Sequence, residues 1–227
     1  MTSGRDNLGF MRWVEFVKRT PCALLLVVQL GGVLLYPFME DTVVGQAAFA
    51  VFGVLVLGLT VLAIRATPFL SWVAVLFAAP ATVLLVVQIF TGNQALFPWS
   101  AGFEAVLYFY AALSMLAYML EDTHLSTDEM FAIGTVFTLL AWAFAYVYVV
   151  VQALDPGAFT GDPDTTRSWM ELLFLSFTTL SSTGLSDVLP LTGHARSVVM
   201  IEQIAGVLYI AMVVTRLVSL NAARKRV

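Results

Sequence analysis

Charge is scarce in this chain of 227 residues: Asp, Glu, Lys and Arg together make up 11% of it, against roughly a quarter in an ordinary soluble domain. Cysteine is nearly absent. The single Cys22 excludes a disulfide framework within the chain and a cysteine-rich metal site. Only 2 histidines are present, and no Ser-His-Asp set or His/Asp/Glu cluster lies together in the apolar segments, so an enzyme is not expected. The 11 Lys and Arg residues against 15 Asp and Glu leave a net charge of -4. That balance offers no basic face for nucleic acid. What is abundant is apolar surface: 60% of the residues are hydrophobic and mean hydropathy is +0.90. A soluble core of this size cannot hide so much. The composition therefore points to an integral membrane protein in contact with lipid.

A helix needs about 20 apolar residues to cross a bilayer core. Six stretches meet this: Pro21 to Phe38, Ala47 to Ile64, Phe69 to Phe90, Ala101 to Leu120, Met130 to Gln152 and Ser197 to Leu220. Thr20-Pro21 is a helix-start signal, and Pro80 is a candidate kink in the third stretch. A seventh apolar run, Trp169 to Leu180, is too short to span and fits a re-entrant segment. The positive-inside rule supports this count. With six spans, Arg5, Arg12, Lys18, Arg19, Arg65, Arg216, Arg224, Lys225 and Arg226 share one side, and only Arg167 and Arg196 fall on the other. The expected topology is multi-pass in the cell membrane, with both termini cytoplasmic. No signal-peptide cleavage site is evident. Leu8 to Arg19 reads equally as an interfacial amphipathic segment or as a plain cytoplasmic lead-in.

The region from Leu154 to Leu220 carries the chemistry. A polar, Pro/Gly-rich loop follows Leu154. The short apolar run comes next, then Ser181-Ser182-Thr183-Gly184-Leu185-Ser186-Asp187, Pro190 and the last span. Non-helical backbone at membrane depth is tolerated only where protein buries it or where it lines a water-filled path. A hydroxyl-rich strand containing glycine is a place where ions can shed water.

Leu175 to Pro190, Leu-Ser-Phe-Thr-Thr-Leu-Ser-Ser-Thr-Gly-Leu-Ser-Asp-Val-Leu-Pro, resembles the pore helix and selectivity filter of tetrameric potassium channels. The pattern of that family is Ser-Phe-x-Thr-Leu-Thr-Thr-Val/Leu-Gly-Tyr-Gly-Asp-x-x-Pro. Ala195-Arg196-Ser197, Glu202, Gly206, Tyr209-Ile210-Ala211 and Thr215-Arg216-Leu217-Val218 resemble the inner helix of small bacterial channels. The resemblance implies an all-α homotetramer, since each chain supplies one pore loop. It implies filter carbonyls at Ser182, Thr183, Gly184, Leu185 and Ser186 that replace an ion's hydration shell. A monovalent cation would sit at Ser182, Thr183, Gly184 and Leu185. Asp187 would attract cations at the outer mouth.

This filter departs from the pattern. Leu185 stands for the usual Tyr and loses its hydrogen bond to the surrounding cuff. Thr183 stands for Val or Ile. Ser186 stands for the second glycine, whose usual positive φ costs a side-chain-bearing residue roughly 1 kcal/mol or more. The expectation is a reshaped or wider outer filter carrying K+, and Na+ as well if selectivity is weakened. A nonconducting or regulatory membrane protein built on the channel fold is the alternative.

Four readings outside the filter complete the expectations. Glu202 in the last span is favoured as a structural anchor behind the filter over a permeation role. Gly206 reads equally as an inner-helix hinge and as a close-packing point. Arg216 is expected to snorkel at the inner interface. Glu104 is given no special role. The outer acids Glu40, Asp41, Asp155, Asp162 and Asp164 read as solvated loop residues, and His194 and His124 as incidental surface histidines rather than pH sensors.

The expected layout is a cytoplasmic N-terminus (1–20), a four-helix domain (21–120), a linker (121–129), a pore domain (130–220) and a basic tail (221–227). Spans one to four contain no run of basic residues, and Ala101 to Leu120 has none at all, so steep voltage gating is not expected. Gly31-Gly32 and Gly53 to Gly58 suggest close helix packing. With only Asn221 to Val227 after the last span, the expectation is gating by membrane, ions, pH or partners, or a constitutively active pore, rather than gating by a fused ligand-binding domain. No cofactor is expected beyond the permeant ion.

Overall fold

The computed structural model describes residues 20–38, 43–64, 71–121, 127–161 and 166–224. The Leu8 to Arg19 segment, Glu40, Asp41, Arg65, His124, Asp162 and Asp164 lie outside them. The described secondary structure is helical: α1 (Pro21–Leu35), α2 (Val43–Ile64), α3 (Ser71–Thr91), α4 (Phe97–Glu121), α5 (Thr127–Leu154), α6 (Trp169–Leu180) and α7 (Gly193–Arg224). Short 3-10 turns at Tyr36–Phe38 and Gln94–Leu96 follow α1 and precede α4. Phe159 and Pro190 form an isolated antiparallel bridge.

Among the described residues, five helical segments are long and apolar enough to cross a membrane: Pro21–Phe38, Ser71–Thr91, Phe97–Leu120, Met130–Leu154 and Gly193–Ser219. α2 has 22 residues and no charge, yet only Val51–Ile64 counts as an apolar helix among the described residues, short of a full span. α1 opens where a proline is tolerated, with Pro21 in its first turn. α3 continues as one helix through Pro80.

α5 is the central and most buried span. α4 packs against it antiparallel through interlocked aromatic rings. Tyr108 stacks on Tyr146 at 5.7 Å and meets Trp142 edge-on at 6.0 Å, and Phe109 meets Phe144 edge-on at 4.9 Å. Such offset and edge-to-face pairs add to simple area burial. α1 lies along another side of α5 and runs parallel to it, tied by polar contacts. The Cys22 N–H donates to Asp128 Oδ1 at 3.2 Å. The Thr138 hydroxyl lies 2.8 Å from Gln29 Oε1. At the far end of α1, Tyr36 packs on Trp169 at 5.5 Å, and Trp169 also packs on Trp142 and Tyr146. The front helices are thereby joined to the start of α6 through one aromatic cluster.

The glycine expectation holds in part. A Cβ at Gly32 would run into the Phe52 ring, and one at Gly53 would lie 3.8 Å from Leu85, but Gly31 and Gly58 face nothing within 4 Å.

Candidate functional site

The site is built on α6, a 12-residue helix held between α5 and α7. Its start is set by a capping box. Ser168 Oγ accepts from the Glu171 N–H at 3.3 Å, and Glu171 Oε2 accepts from the Ser168 N–H at 2.7 Å. Its buried face carries Trp169, Leu172, Leu173 and Leu175. At its end the chain turns back on Ser182, whose φ is 60°, a left-handed conformation that costs a non-glycine residue about 1 kcal/mol or more.

The segment after that turn uses its first amide groups and, among the described residues, leaves its carbonyls without a donor. The Ser182 N–H donates to the Thr179 carbonyl at 3.0 Å. The Thr183 and Gly184 N–H groups share the Thr178 carbonyl at 2.9 and 3.1 Å. Gly184 has φ 65°, a conformation glycine adopts without steric cost. Among the described residues, no hydrogen-bond donor meets the carbonyl of Ser182, Thr183, Gly184, Leu185 or Ser186. Ser182 to Leu185 are exposed, Leu185 to 76%. The left-handed positions are Ser182 and Gly184, not Ser186. Ser186 is not in the left-handed region, so the strain expected there is absent. Ser186 instead closes a local turn, its Oγ accepting from the Val188 N–H at 3.1 Å.

Three helices meet behind this segment at Glu202. Its side chain on α7 is buried. One carboxylate oxygen accepts from the Tyr148 hydroxyl of α5, and the other meets the Ser176 hydroxyl of α6. Ser176 Oγ also lies 2.8 Å from the Ala141 carbonyl. A turn further along α7, Gly206 lies against the end of α6: a Cβ there would stand 2.8 Å from the Leu180 carbonyl carbon and 3.0 Å from its Cα. The Tyr209 hydroxyl donates to the Ile133 carbonyl of α5 at 2.5 Å.

At the other end, the loop after α5 lies against the chain that leaves the strand. The Thr160 N–H donates to the Leu189 carbonyl at 2.9 Å, and the Leu191 N–H donates to the Ala158 carbonyl at 2.8 Å. Asp187 is exposed. His194 is 92% exposed and 4.0 Å from Asp155, the outer limit of pairing. Arg216 reaches the Leu120 carbonyl with Nη1 at 3.4 Å.

Sequence reasoning missed several participants. Tyr148 looks like an ordinary span residue, and Ser176 like one more hydroxyl of the short helix, until the fold sets them on Glu202. Ser168-x-x-Glu171 is a visible capping-box signature whose relation to the strand only the fold reveals. Glu104, given no role, is 1% exposed on α4, beside Tyr108 and Tyr146. An acid buried in a span is a functional hypothesis by default.

A family model described as "Ion channel" matches residues 103–222, more than half of the chain. Protein LctB of Bacillus caldotenax is 28% identical over 123 residues, which cover 52% of this chain and 91% of that protein. No solved structure matches. The matched region runs from α4 through α7 and contains the capped half-length helix, the Ser182–Ser186 segment whose carbonyls meet no donor among the described residues, and the helix that carries Glu202. The chain belongs to the ion channel family.

Proposed function

We propose that the chain forms, as a homotetramer, a pore that passively conducts monovalent cations, K+ first and Na+ with weaker discrimination. The observation that carries this reading is the run of five carbonyls from Ser182 to Ser186 with no donor among the described residues. A carbonyl left without a partner is costly in an apolar setting, and a dehydrated cation is a partner that suits a row of them. One chain supplies one such row, so four copies are needed to surround an axis. The exposed apolar face of α7, with Met200, Ile204, Val207 and Leu208, fits burial against sister subunits. Asp187 then stands at the outer mouth and raises the local cation concentration.

Glu202 acts as the anchor that keeps α6 in register with α5 and α7, and Gly206 as the point where α7 and α6 touch. α2, with 22 uncharged residues at about 1.5 Å each, is long enough to be a sixth span; six spans put both termini on one side, and the distribution of Lys and Arg favours the cytoplasm for that side. α4 contains no Lys or Arg, so the pore is not opened by a voltage sensor of the arginine type.

The test is cation flux. Purified tetramers in liposomes are expected to dissipate a K+ gradient, and, less readily, a Na+ gradient. Folded tetramers that pass neither ion would sink the reading and favour a nonconducting member of the channel fold.

A further inference from the structure

The two ends of the carbonyl strand are held very differently. At the α6 end, the Ser182, Thr183 and Gly184 amides are tied to the helix carbonyls of Thr178 and Thr179. Beyond Gly184 that support stops. The Leu185 and Ser186 amides donate to no carbonyl or side chain among the described residues. Support resumes only after Ser186, and it centres on Thr160. The Thr160 hydroxyl accepts from the Leu189 N–H at 2.9 Å and donates to the Asp187 carbonyl at 3.1 Å. Its own N–H donates to the Leu189 carbonyl at 2.9 Å.

Thr160 is in turn held by Arg167. The guanidinium Nε donates to the Thr160 carbonyl at 2.5 Å, while Nη1 pairs with Glu171 Oε1 at 2.7 Å. The backbone of Arg167 is clamped by Gln152 of α5, whose amide accepts from the Arg167 N–H and donates to its carbonyl, both at 3.0 Å. Gly161, at φ 130°, leaves room for the guanidinium: a Cβ there would lie 2.8 Å from Arg167 Nε. Arginine suits this place because its planar fork serves two acceptors in fixed directions at once.

We propose that Arg167 is a positioning residue for the outer half of the filter, acting through Thr160 on the chain that leaves Ser186. This rests on the pore reading above. The chain of contacts runs from the α6 capping box, through Arg167 and Thr160, to Asp187 and Leu189. It does at the outer mouth what the missing Tyr hydroxyl cannot do at Leu185: it fixes where the last carbonyls stand.

Three variants test it: Thr160→Val, which removes the hydroxyl at nearly constant shape, Arg167→Gln, and Arg167→Lys, which keeps the charge but loses the fork. Two readouts are taken on assembled full-length tetramers. One is the K+ to Na+ permeability ratio from reversal potentials. The other is amide hydrogen exchange at Leu189. Thr160→Val and Arg167→Gln are each expected to lower the ratio about five-fold, the equivalent of one net hydrogen bond, and to speed exchange at Leu189. Arg167→Lys is expected to fall between them and the wild type. A ratio unchanged in conducting tetramers of both Thr160→Val and Arg167→Gln overturns the proposal, as does unchanged Leu189 exchange in Thr160→Val. Wild-type tetramers that conduct nothing overturn the pore reading instead, and the exchange measurement then still decides whether Thr160 holds the strand.

Discussion

At the scale of single residues, the helices behind Ser182 meet through contacts too close to accept change. Gly206 is the clearest. A methyl group there would meet the backbone of Leu180 rather than a movable side chain, so α6 or α7 must shift. Gly206→Ala is expected to lower stability by about 1–3 kcal/mol, as overpacking usually does, and to reduce conduction by the proposed pore, because Leu180 ends the helix that leads into the Ser182–Ser186 segment. Thermal unfolding and flux in the same preparation check this, and a variant as stable and as active as the wild type would refute the contact. Close packing at Gly206 explains its glycine without appeal to a hinge. Glu202 teaches a related lesson. Its position in a span was legible as a signal, but its meaning depends on Tyr148, 54 residues away, and Ser176, 26 residues away. No periodicity in the sequence encodes those distances. Thr183, Leu185 and Ser186 were legible only as one-by-one departures from a known pattern. The left-handed turn at Ser182 was not, since serine rarely takes that conformation and the pattern placed the strain at Ser186.

At the scale of elements, helix boundaries followed from composition and caps. Trp169–Leu180 is bounded as its apolar run suggests, because Ser168 and Glu171 close one end and the hydroxyl-rich segment opens the other. α5 and α7 extend beyond their apolar runs, to Thr127 and Gly193, because polar residues continue a helix outside the lipid without cost. The α6 capping box also predicts a pH dependence. Burial acts to raise the Glu171 pKa, but the Ser168 N–H and the Arg167 guanidinium outweigh it and hold the carboxyl below its ordinary value. A carboxyl with a lowered folded pKa contributes stability that is complete above the ordinary carboxylate range and lost as pH falls through the lowered value. Acidification through that window is therefore expected to loosen the segment around Thr160 and Leu189 before the spans unfold. Amide exchange against pH checks this. Glu171→Gln is expected to remove the dependence, and a wild-type profile that stays flat through the acid range would argue against the clamp.

At the scale of the whole molecule, the scarcity of charge sorts the chain into two parts with different jobs. α1 and α4 pack on α5 through rings, aliphatic surface and a few polar contacts, α2 packs on α1, α3 and α4, α3 also packs on α4, and the cluster around Trp169 joins this part to α6. α5 to α7 hold the Glu202 junction, the Arg167 clamp and the strand. The apolar membrane-length helices were readable from composition, and the kinship with ion channels from the motif. The way the front helices sit on α5 was not, because aromatic interlocking depends on rotamers and helix rotation rather than on spacing. The central claim is that four strands face one axis with their carbonyls toward a cation. An experimental density map of the tetramer in K+ tests it most directly, with a second map in Tl+ to mark ions by scattering. The account predicts density on the axis between rings of carbonyls from Thr183 and Gly184, strengthened by the heavier ion. Carbonyls turned away from the axis, with no ion density between them in either salt, would contradict it.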